Sequence, residues 1–471
     1  MRSESSGVGH RTGWRIPENP GERRPRSWRR RTDARAQDRS HVGWRKPLLG
    51  VMRAITSTCY IWAGAEVRLR DVRSVQTLTR VLVSGPQIPL SATNPMNITP
   101  EDTERSRLER ITLKGFKTIR ELIDFEPHSR TVLIGPNGAG KSNFISFFRM
   151  MSWGLSGPDK LPLHVSQQGG SRRLLHDGPA HTREIEAELT IRTAAGENEY
   201  LFRLFHAAGD TLVFADERYR FSRKGRQGKA HWTTLGAGHK DPQLLAAAFD
   251  DQTAQVIRSL LRKIVVYQFH NTSDTGRIRG KWPVGDNRWL KEDGANLASL
   301  LYRLQRRDRR HYQLIVDTIR LVLPLFSDFE LEPDCGDLML AWRERDTDEV
   351  FNASQASDGF LRIVALITLL LQPAQDLPDV LILDEPELGL HPSAISVVGE
   401  LTAALATKIQ VIAATQSVLL VDCFDPEDIV VVERPDRAST FKRLDPAALD
   451  QWLDAYSVSE LWEKNIIGGR P

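Results

Sequence analysis

The residues with the most recognisable chemistry form a glycine-rich loop between residues 131 and 143. The segment reads Thr-Val-Leu-Ile-Gly-Pro-Asn-Gly-Ala-Gly-Lys-Ser-Asn and has the spacing GxxxxGK[ST]. A loop of this kind, between a strand and a helix, directs backbone N–H groups towards phosphate oxygens. We therefore predict a nucleoside triphosphate site. Its predicted phosphate-binding residues are Gly135, Pro136, Asn137, Gly138, Ala139, Gly140, Lys141, Ser142 and Asn143.

Two side chains of this loop and two distant carboxylates could act together on ATP and Mg²⁺. Lys141 is placed to neutralise the β- and γ-phosphates, and the Ser142 hydroxyl is placed to bind Mg²⁺. An apolar segment at 380–383 ends in Asp384 and Glu385. Asp384 is predicted to hold Mg²⁺, directly or through water. Glu385 is predicted to orient or deprotonate the attacking water.

The hydrophobic pattern predicts the elements that position these side chains. Apolar strands alternate with helices, which is typical of a mostly parallel sheet covered by helices. Alternating residues across 183–235 predict an antiparallel meander, and the pattern between 243 and 323 is mainly helical. Other expectations concern single segments. They are apolar strands at 132–134, 263–269, 410–413 and 428–432, a strand at 338–342 and an irregular connection at 154–170.

The order of the motifs resembles the ABC-type ATPase heads of the RecF/SMC/OLD group, often described as AAA-family ATPases. After the phosphate loop, Ser357-Asp358-Gly359 stands in the position of the ABC signature, followed by LDEPELGLHP at 383–392 and Ala-Thr-Gln-Ser at 414–417. A Gly-Gly…LLHDGP segment at 169–179 and the ELWEKNIIGGRP segment at 460–471 are similar to the compact predicted-ATPase branch. The resemblance covers residues 107–471. It implies an α/β P-loop NTPase fold with a mixed, mostly parallel sheet, an antiparallel β subdomain and a helical lobe.

The resemblance also implies an ATP-dependent homodimer in which two heads clamp two ATP molecules head to tail. Ser357 and Gly359 would contact the γ-phosphate of the partner's nucleotide, although from the residues alone Ser357 could simply cap a helix. Gln416 occupies the position where ABC heads usually present a histidine. We expect it to sense the γ-phosphate through its amide and to support slower hydrolysis. The segment 389–391 matches one that crosses the dimer interface, but His391 could equally be a local turn residue.

Positive charge is concentrated at the beginning of the chain. The whole chain carries a net charge of +4, of which residues 1–95 contribute +11 and the remainder −7. Residues 1–95 show no sustained period, and three interpretations remain open. They are a disordered basic arm that touches nucleic acid, an Arg-rich targeting peptide, or an upstream start codon. We favour the last because Met96 precedes the first well-patterned segment.

The predicted division of the remaining chain has three parts. Residues 96–150 form the first part of the ATPase head, 151–350 an inserted β-meander and helical lobe, and 351–471 the second part of the head. Cys59, Cys335 and Cys423 are scattered, which indicates a reduced, cytoplasmic protein without a disulfide framework. The longest apolar run, at 363–371, is too short to span a bilayer, so we expect no membrane partner.

These features lead us to expect an ATP-hydrolysing, dimerising switch in DNA repair or recombination, or in anti-phage defence. The alternative is a nucleotide-dependent sensor that regulates a partner effector with little hydrolysis. An ABC transporter subunit fits poorly. The sequence between residues 143 and 350 has no long heptad run, which argues against a cohesin-like role. The 55 residues after Gln416 leave no room for a Toprim nuclease domain.

The sequence leaves the roles of three polar segments undecided. The loop that supplies a Mg²⁺-contacting glutamine in ABC heads is not identified, and Gln167 and Gln168 are candidates by position only. The segment 268–273 either lines the site or caps a turn. The basic stretch 303–311 could contact nucleic acid, but a solvated helix face is the better interpretation.

Overall fold

The computed structural model describes residues 105–226 and 228–470. The basic extension predicted at 1–95, and the beginning of the segment predicted at 96–150, lie outside the described residues. Within the described part, none of the helices combines the length and the apolar character needed to cross a membrane.

The described chain contains seventeen strands and twelve α-helices. The strands are β1 (Arg107–Phe116), β2 (Ile119–Phe125), β3 (Arg130–Ile134), β4 (Glu184–Thr193), β5 (Gly196–Ala207), β6 (Thr211–Arg223), β7 (Thr233–Gly236), β8 (Ile264–Tyr267), β9 (Trp282–Pro283), β10 (Phe326–Phe329), β11 (Asp337–Leu338), β12 (Ala341–Glu344), β13 (Val350–Asn352), β14 (Val380–Asp384), β15 (Gln410–Ala414), β16 (Ile429–Glu433) and β17 (Thr440–Arg443). The helices are α1 (Lys141–Ser156), α2 (Lys160–Gln167), α3 (Ser171–Leu174), α4 (Leu244–Ala247), α5 (Gln252–Leu261), α6 (Leu297–Arg307), α7 (Arg309–Val322), α8 (Asp358–Leu371), α9 (Pro392–Leu405), α10 (Val418–Val421), α11 (Pro446–Leu453) and α12 (Val458–Glu463).

A six-stranded sheet in the order β17-β16-β3-β15-β14-β8 carries the phosphate loop. Its strands pair in parallel, except for the edge strand β17, which runs antiparallel to β16. Every residue of β14 and β15 is buried, as expected for parallel strands covered on both faces. The predicted α/β fold with a mixed, mostly parallel sheet is confirmed.

Helix α1 lies between this sheet and a second, antiparallel sheet in the order β2-β1-β4-β5-β6-β7. Its three phenylalanines Phe144, Phe147 and Phe148 are fully buried in one apolar cluster with residues of both sheets. The ring of Phe147 meets Phe116 edge to face at 5.8 Å and stacks with Phe202 at 6.3 Å. These contacts fix the helix that begins at the end of the phosphate loop.

A separate apolar cluster covers the other face of the parallel sheet. Helices α6 to α9 pack there with the small sheet β10-β12-β13, and Tyr312, Leu361 and Val398 are fully buried in this cluster. The sheet contributes Leu381 and Val411 to it, on the face opposite to α1. Helix α8, which follows the predicted signature, is therefore anchored on the sheet that carries the phosphate loop.

Two local predictions were wrong. The strand predicted at 338–342 is divided into β11, which pairs with β9, and β12, which pairs with β10 and β13. The apolar run is shared between two sheets because its halves have different partners. The connection predicted at 154–170 contains α2, whose Leu161, His164 and Val165 are buried at helical spacing despite the surrounding glycines and prolines.

The last described residues pack back against the parallel sheet. The indole of Trp462 is fully buried in a third apolar cluster with residues of β3 and β16, and its Nε1 donates to the carbonyl of Gly469. The N–H of Gly469 donates to Glu433 Oε1 at 2.8 Å. The segment from α12 to Gly469 is therefore part of the folded core.

We expect Trp462→Ala to lower the free energy of unfolding by about 3–5 kcal/mol, because it removes a large buried side chain. Trp452 is 43% exposed and provides the control. Trp452→Ala should cost less than about 1 kcal/mol. Urea unfolding of the three proteins measures the difference, and equal effects of the two substitutions would contradict this packing.

Candidate functional site

The phosphate loop connects the end of β3 to the first residue of α1. Gly138 has φ +78° and Gly140 has φ +121°, conformations that L side chains rarely adopt. A Cβ on Gly140 would stand 2.1 Å from Ser439 Oγ and 2.7 Å from Thr118 Oγ1, whereas a Cβ on Gly138 would meet nothing within 4 Å. The loop is thus walled on one side by protein and open on the other.

The Lys141 ammonium lies inside this loop. The residue is 4% exposed, and Nζ donates to the carbonyls of Gly135 at 2.6 Å and Pro136 at 3.2 Å. Burial lowers the pKa of Lys141, and the nearby Glu385 carboxylate opposes that shift. This position suits a cation that neutralises phosphate oxygens held by the loop.

Ser142 and Asp384, predicted as magnesium ligands, lie together. Ser142 Oγ donates to Asp384 Oδ1 at 3.1 Å, and Gln268 Nε2 donates to the other oxygen, Oδ2, at 3.0 Å. Burial raises the pKa of Asp384. A hydroxyl and a carboxylate are hard oxygen donors of the kind that Mg²⁺ prefers, so Ser142 and Asp384 fit the ion, whereas Gln268 presents its N–H to Asp384.

Within the segment 268–273, Gln268 lines the site. It follows β8, which lies beside β14, so that both strands end at the same edge of the sheet. Arg149 Nη2 holds its Oε1 at 2.7 Å. Gln167 and Gln168, the candidates by position, are exposed at the end of α2. The sequence does contain a signal for Gln268, since it is a polar residue directly after a buried strand.

Glu385 and Gln416 also meet. Gln416 Nε2 donates to Glu385 Oε1 at 2.6 Å, and the backbone N–H of Glu385 donates to the Ala414 carbonyl at 2.9 Å. Glu385 has φ +46°, a left-handed conformation that is costly for a residue with a side chain. Such backbone geometry is concentrated at functional sites, and here it turns the carboxylate towards the amide.

The predicted signature lies at the beginning of α8. Ser357 is exposed and caps the helix, with its Oγ accepting from the Phe360 N–H at 3.2 Å. A Cβ on Gly359 would stand 2.9 Å from the Gly389 carbonyl oxygen, so this glycine permits close packing. Within the described chain, no hydrogen bond joins Ser357 or Gly359 to residues 135–143.

Two arginines fix the signature segment. Arg279 donates to the carbonyls of Ala353 at 2.6 Å and Ala356 at 2.9 Å and to Asp358 Oδ1 at 2.9 Å. Arg362 Nη1 donates to the Leu388 carbonyl at 3.0 Å and its Nη2 to the carbonyl of residue 270 at 3.0 Å. Neither arginine is predicted from the sequence, because most of their acceptors are backbone carbonyls distant in the chain.

His391 is a local helix cap in the structure. Its Nδ1 accepts from the Ser393 N–H at 3.3 Å at the beginning of α9. This is the turn role that the sequence left open beside the interface role. Its ring is exposed, and Gly389 before it has φ +74°.

Two further residues of the loop wall were not predicted. Thr118 Oγ1 accepts from Asn143 Nδ2 at 2.8 Å. Ser439 Oγ lies 2.6 Å from the Ala139 carbonyl and 2.7 Å from Thr118 Oγ1. Ser439 directly precedes the edge strand β17, and Thr118 lies in the turn between β1 and β2. Single hydroxyls at such places carry no sequence signal, because only the folding of the chain brings them to the loop.

Comparison with known proteins places the site in a family. Residues 130–422 match the sequence model of the family described as "AAA domain, putative AbiEii toxin, Type IV TA system". This match covers the phosphate loop, the signature segment, Asp384, Glu385 and Gln416, and the resemblance to RecF/SMC/OLD-type heads is confirmed. No curated protein matches the sequence.

Among solved structures, three Smc head domains are similar to this chain. An Smc head bound to the C-terminal winged-helix domain of ScpA has 16% identity and a TM-score of 0.47, covering 73% of this chain and 99% of that chain. An Smc head with an extended coiled coil, bound to the C-terminal domain of ScpA from Pyrococcus furiosus, has 14% identity and a TM-score of 0.44, covering 74% and 99%. The SMC head from Thermotoga maritima has 16% identity and a TM-score of 0.35, covering 72% and 99%.

We expect Gly140→Ala to weaken ATP binding far more than Gly138→Ala. Both substitutions place a side chain at positive φ, which costs about 1–2 kcal/mol. Only the Cβ at 140 also collides with Ser439 and Thr118. Titration with a fluorescent ATP analogue compares the two variants, and equal affinities would contradict the geometry of the loop wall.

Proposed function

The chain belongs to the AAA-domain family, and on that premise we propose that it is an ATPase that converts ATP and water to ADP and phosphate. The observation that carries the proposal is the meeting of three motifs at the end of one sheet. Ser142 of the phosphate loop contacts Asp384, and Gln416 contacts Glu385 directly after it. The contact between Ser142 and Asp384 joins residues 242 positions apart in the chain.

Each side chain has a role in this proposal. The phosphate loop binds the triphosphate through its N–H groups, and Lys141 neutralises the β- and γ-phosphates. Ser142 and Asp384 would hold Mg²⁺, which when bound neutralises charge on the phosphate oxygens, and Gln268 would orient Asp384. Glu385 orients the attacking water and accepts its proton. Gln416 holds the carboxylate of Glu385 and offers its amide N–H groups to the γ-phosphate.

We further propose that two chains complete each other's sites. Ser357 and Gly359 are exposed or half-exposed at the first turn of α8, where backbone N–H groups and the helix dipole favour an anion. Their separation from the phosphate loop of the same chain is expected if they serve a partner's nucleotide. The active form is then an ATP-dependent homodimer, and a single chain binds ATP but hydrolyses it slowly.

The setting that we propose is DNA repair or recombination, or anti-phage defence. The family description names a putative toxin of a toxin–antitoxin system, which favours the defence setting. A separate effector protein or nucleic acid would receive the ATP-driven change. Arg303 pairs with Asp376, whereas the exposed arginines of the stretch remain candidates for phosphate contacts. They are Arg306, Arg307, Arg309 and Arg310.

The alternative is a nucleotide sensor with negligible hydrolysis, and Glu385→Gln separates the two. We expect this substitution to slow single-turnover hydrolysis by about 10²- to 10⁴-fold, because it removes a general base, and to leave ATP binding intact. The exposed carboxylate of Glu427 provides a control, and Glu427→Gln should hydrolyse ATP like the wild type. Equal rates for the wild type and Glu385→Gln would favour the sensor.

Mixing two inactive variants tests the shared site. Lys141→Ala destroys a phosphate loop, and Ser357→Arg destroys a signature. In a head-to-tail heterodimer both defects fall in one site, so a 1:1 mixture should recover about a quarter of wild-type turnover. Lys141→Ala mixed with Glu385→Gln should recover nothing, since each chain then damages its own site. A Lys141→Ala and Ser357→Arg mixture that stays inactive would contradict the shared site.

A further inference from the structure

Glu387 is a largely buried carboxyl group to which the mechanism above gives no role. Its Oε1 accepts two hydrogen bonds, from Thr415 Oγ1 at 2.6 Å and from the Gln416 N–H at 2.9 Å. Its Oε2 is buried and has no hydrogen-bond partner in the described chain. All of its contacts are thus made through one oxygen, and they reach the residue that holds Glu385.

The segment that Glu387 contacts is tied to the phosphate-loop strand on its other side. Thr415 is fully buried, and its N–H donates to the Leu133 carbonyl in β3 at 3.0 Å. Its Oγ1 accepts from the Ser417 N–H at 2.9 Å while donating to Glu387. Thr415 is therefore held by β3 through its N–H and by Glu387 through its hydroxyl.

A closed ring of contacts joins this peptide to the turn after β14. The backbone of Glu385 donates to the Ala414 carbonyl, the Glu387 carboxyl accepts from residues 415 and 416, and the Gln416 amide returns to the Glu385 carboxylate. Removal of the Glu387 acceptor breaks the hydrogen bond that holds the Gln416 N–H. The backbone from which the Gln416 side chain extends would then be less well fixed.

We propose that Glu387 is a positioning residue whose Oε1 fixes the Thr415–Gln416 peptide, so that the Gln416 amide is held against Glu385. The predicted effect on turnover rests on the proposed ATP hydrolysis, whereas the positioning of the peptide does not. The contacts require an acceptor oxygen on a side chain of this length. They do not require a negative charge, since neither donor is cationic.

The surroundings of Glu387 act on its carboxyl group in opposite directions. Burial raises the pKa of Glu387, and the charge of Glu385 adds to that shift, although the hydrogen bonds from Thr415 and Gln416 oppose it. Glu387 also lies close enough to Lys141 to raise the pKa of that ammonium group.

The test compares two substitutions of nearly equal size. Glu387→Gln keeps the acceptor oxygen, and Glu387→Met removes it. We expect Glu387→Met to lower kcat by about 10- to 100-fold with KM nearly unchanged, since the fault is one of orientation. Glu387→Gln should stay within about threefold of the wild type. Glu387→Met combined with Gln416→Ala should be no slower than Gln416→Ala alone, because both act on one contact.

A second readout does not depend on hydrolysis. Hydrogen–deuterium exchange of a peptide covering residues 414–421 should accelerate in Glu387→Met, because the Gln416 N–H loses its acceptor, and should match the wild type in Glu387→Gln. If Glu387→Met does not fold, Glu387→Ala, which also removes the acceptor oxygen, replaces it in both measurements.

The outcomes separate the two proposals. A wild type that turns over no ATP overturns the ATPase proposal, and the exchange measurement then decides the role of Glu387. The positioning role is overturned if Glu387→Gln loses as much turnover as Glu387→Met, or if exchange at 414–421 is unchanged in Glu387→Met.

Discussion

The contact between Ser142 Oγ and Asp384 Oδ1 sets the constraint on which the rest of the fold depends. These residues are 242 positions apart in the chain, and they meet only because β3 and β14 are parallel strands separated by β15. Parallel strands end at the same edge of a sheet, so each motif that follows a strand arrives at the same place. The same rule brings Gln268 from β8 and Gln416 from β15 to this edge.

Burial of this edge has an electrostatic consequence. Lys141, Asp384 and Glu387 are withdrawn from water, and burial shifts each pKa towards the neutral form. The groups offset this cost through mutual contacts, in which the hydroxyl of Ser142 and the amide of Gln268 solvate Asp384. A site of fixed dipoles and paired charges needs little rearrangement when a charged phosphate arrives.

The sequence could predict the parts of the site whose residues are neighbours in the chain. The loop at 135–143 and the pair Asp384 and Glu385 follow from spacing and from the strand before each of them. Thr118 and Ser439 could not be found in this way, since the turn and the loop that carry them meet only in the folded chain. The strand predicted at 338–342 is split for a similar reason. Its two halves pair with different sheets, and this pairing is decided by tertiary contacts and not by the local sequence.

The signature segment is held firmly within its own chain. Gly359 packs so closely on the Gly389 carbonyl that no side chain fits, and Arg362 fastens α8 to the neighbouring Leu388 carbonyl. Arg362 also donates to the carbonyl of His270, whose ring nitrogen Nε2 contacts the Asp384 carbonyl at 3.1 Å. The helix that presents Ser357 is therefore connected to the residues around the proposed magnesium ligands by short, directional contacts. A shift of Asp384 or Gln268 could therefore be passed through His270 and Arg362 to the helix that carries Ser357. If two chains share their sites, these contacts would couple one nucleotide to the other.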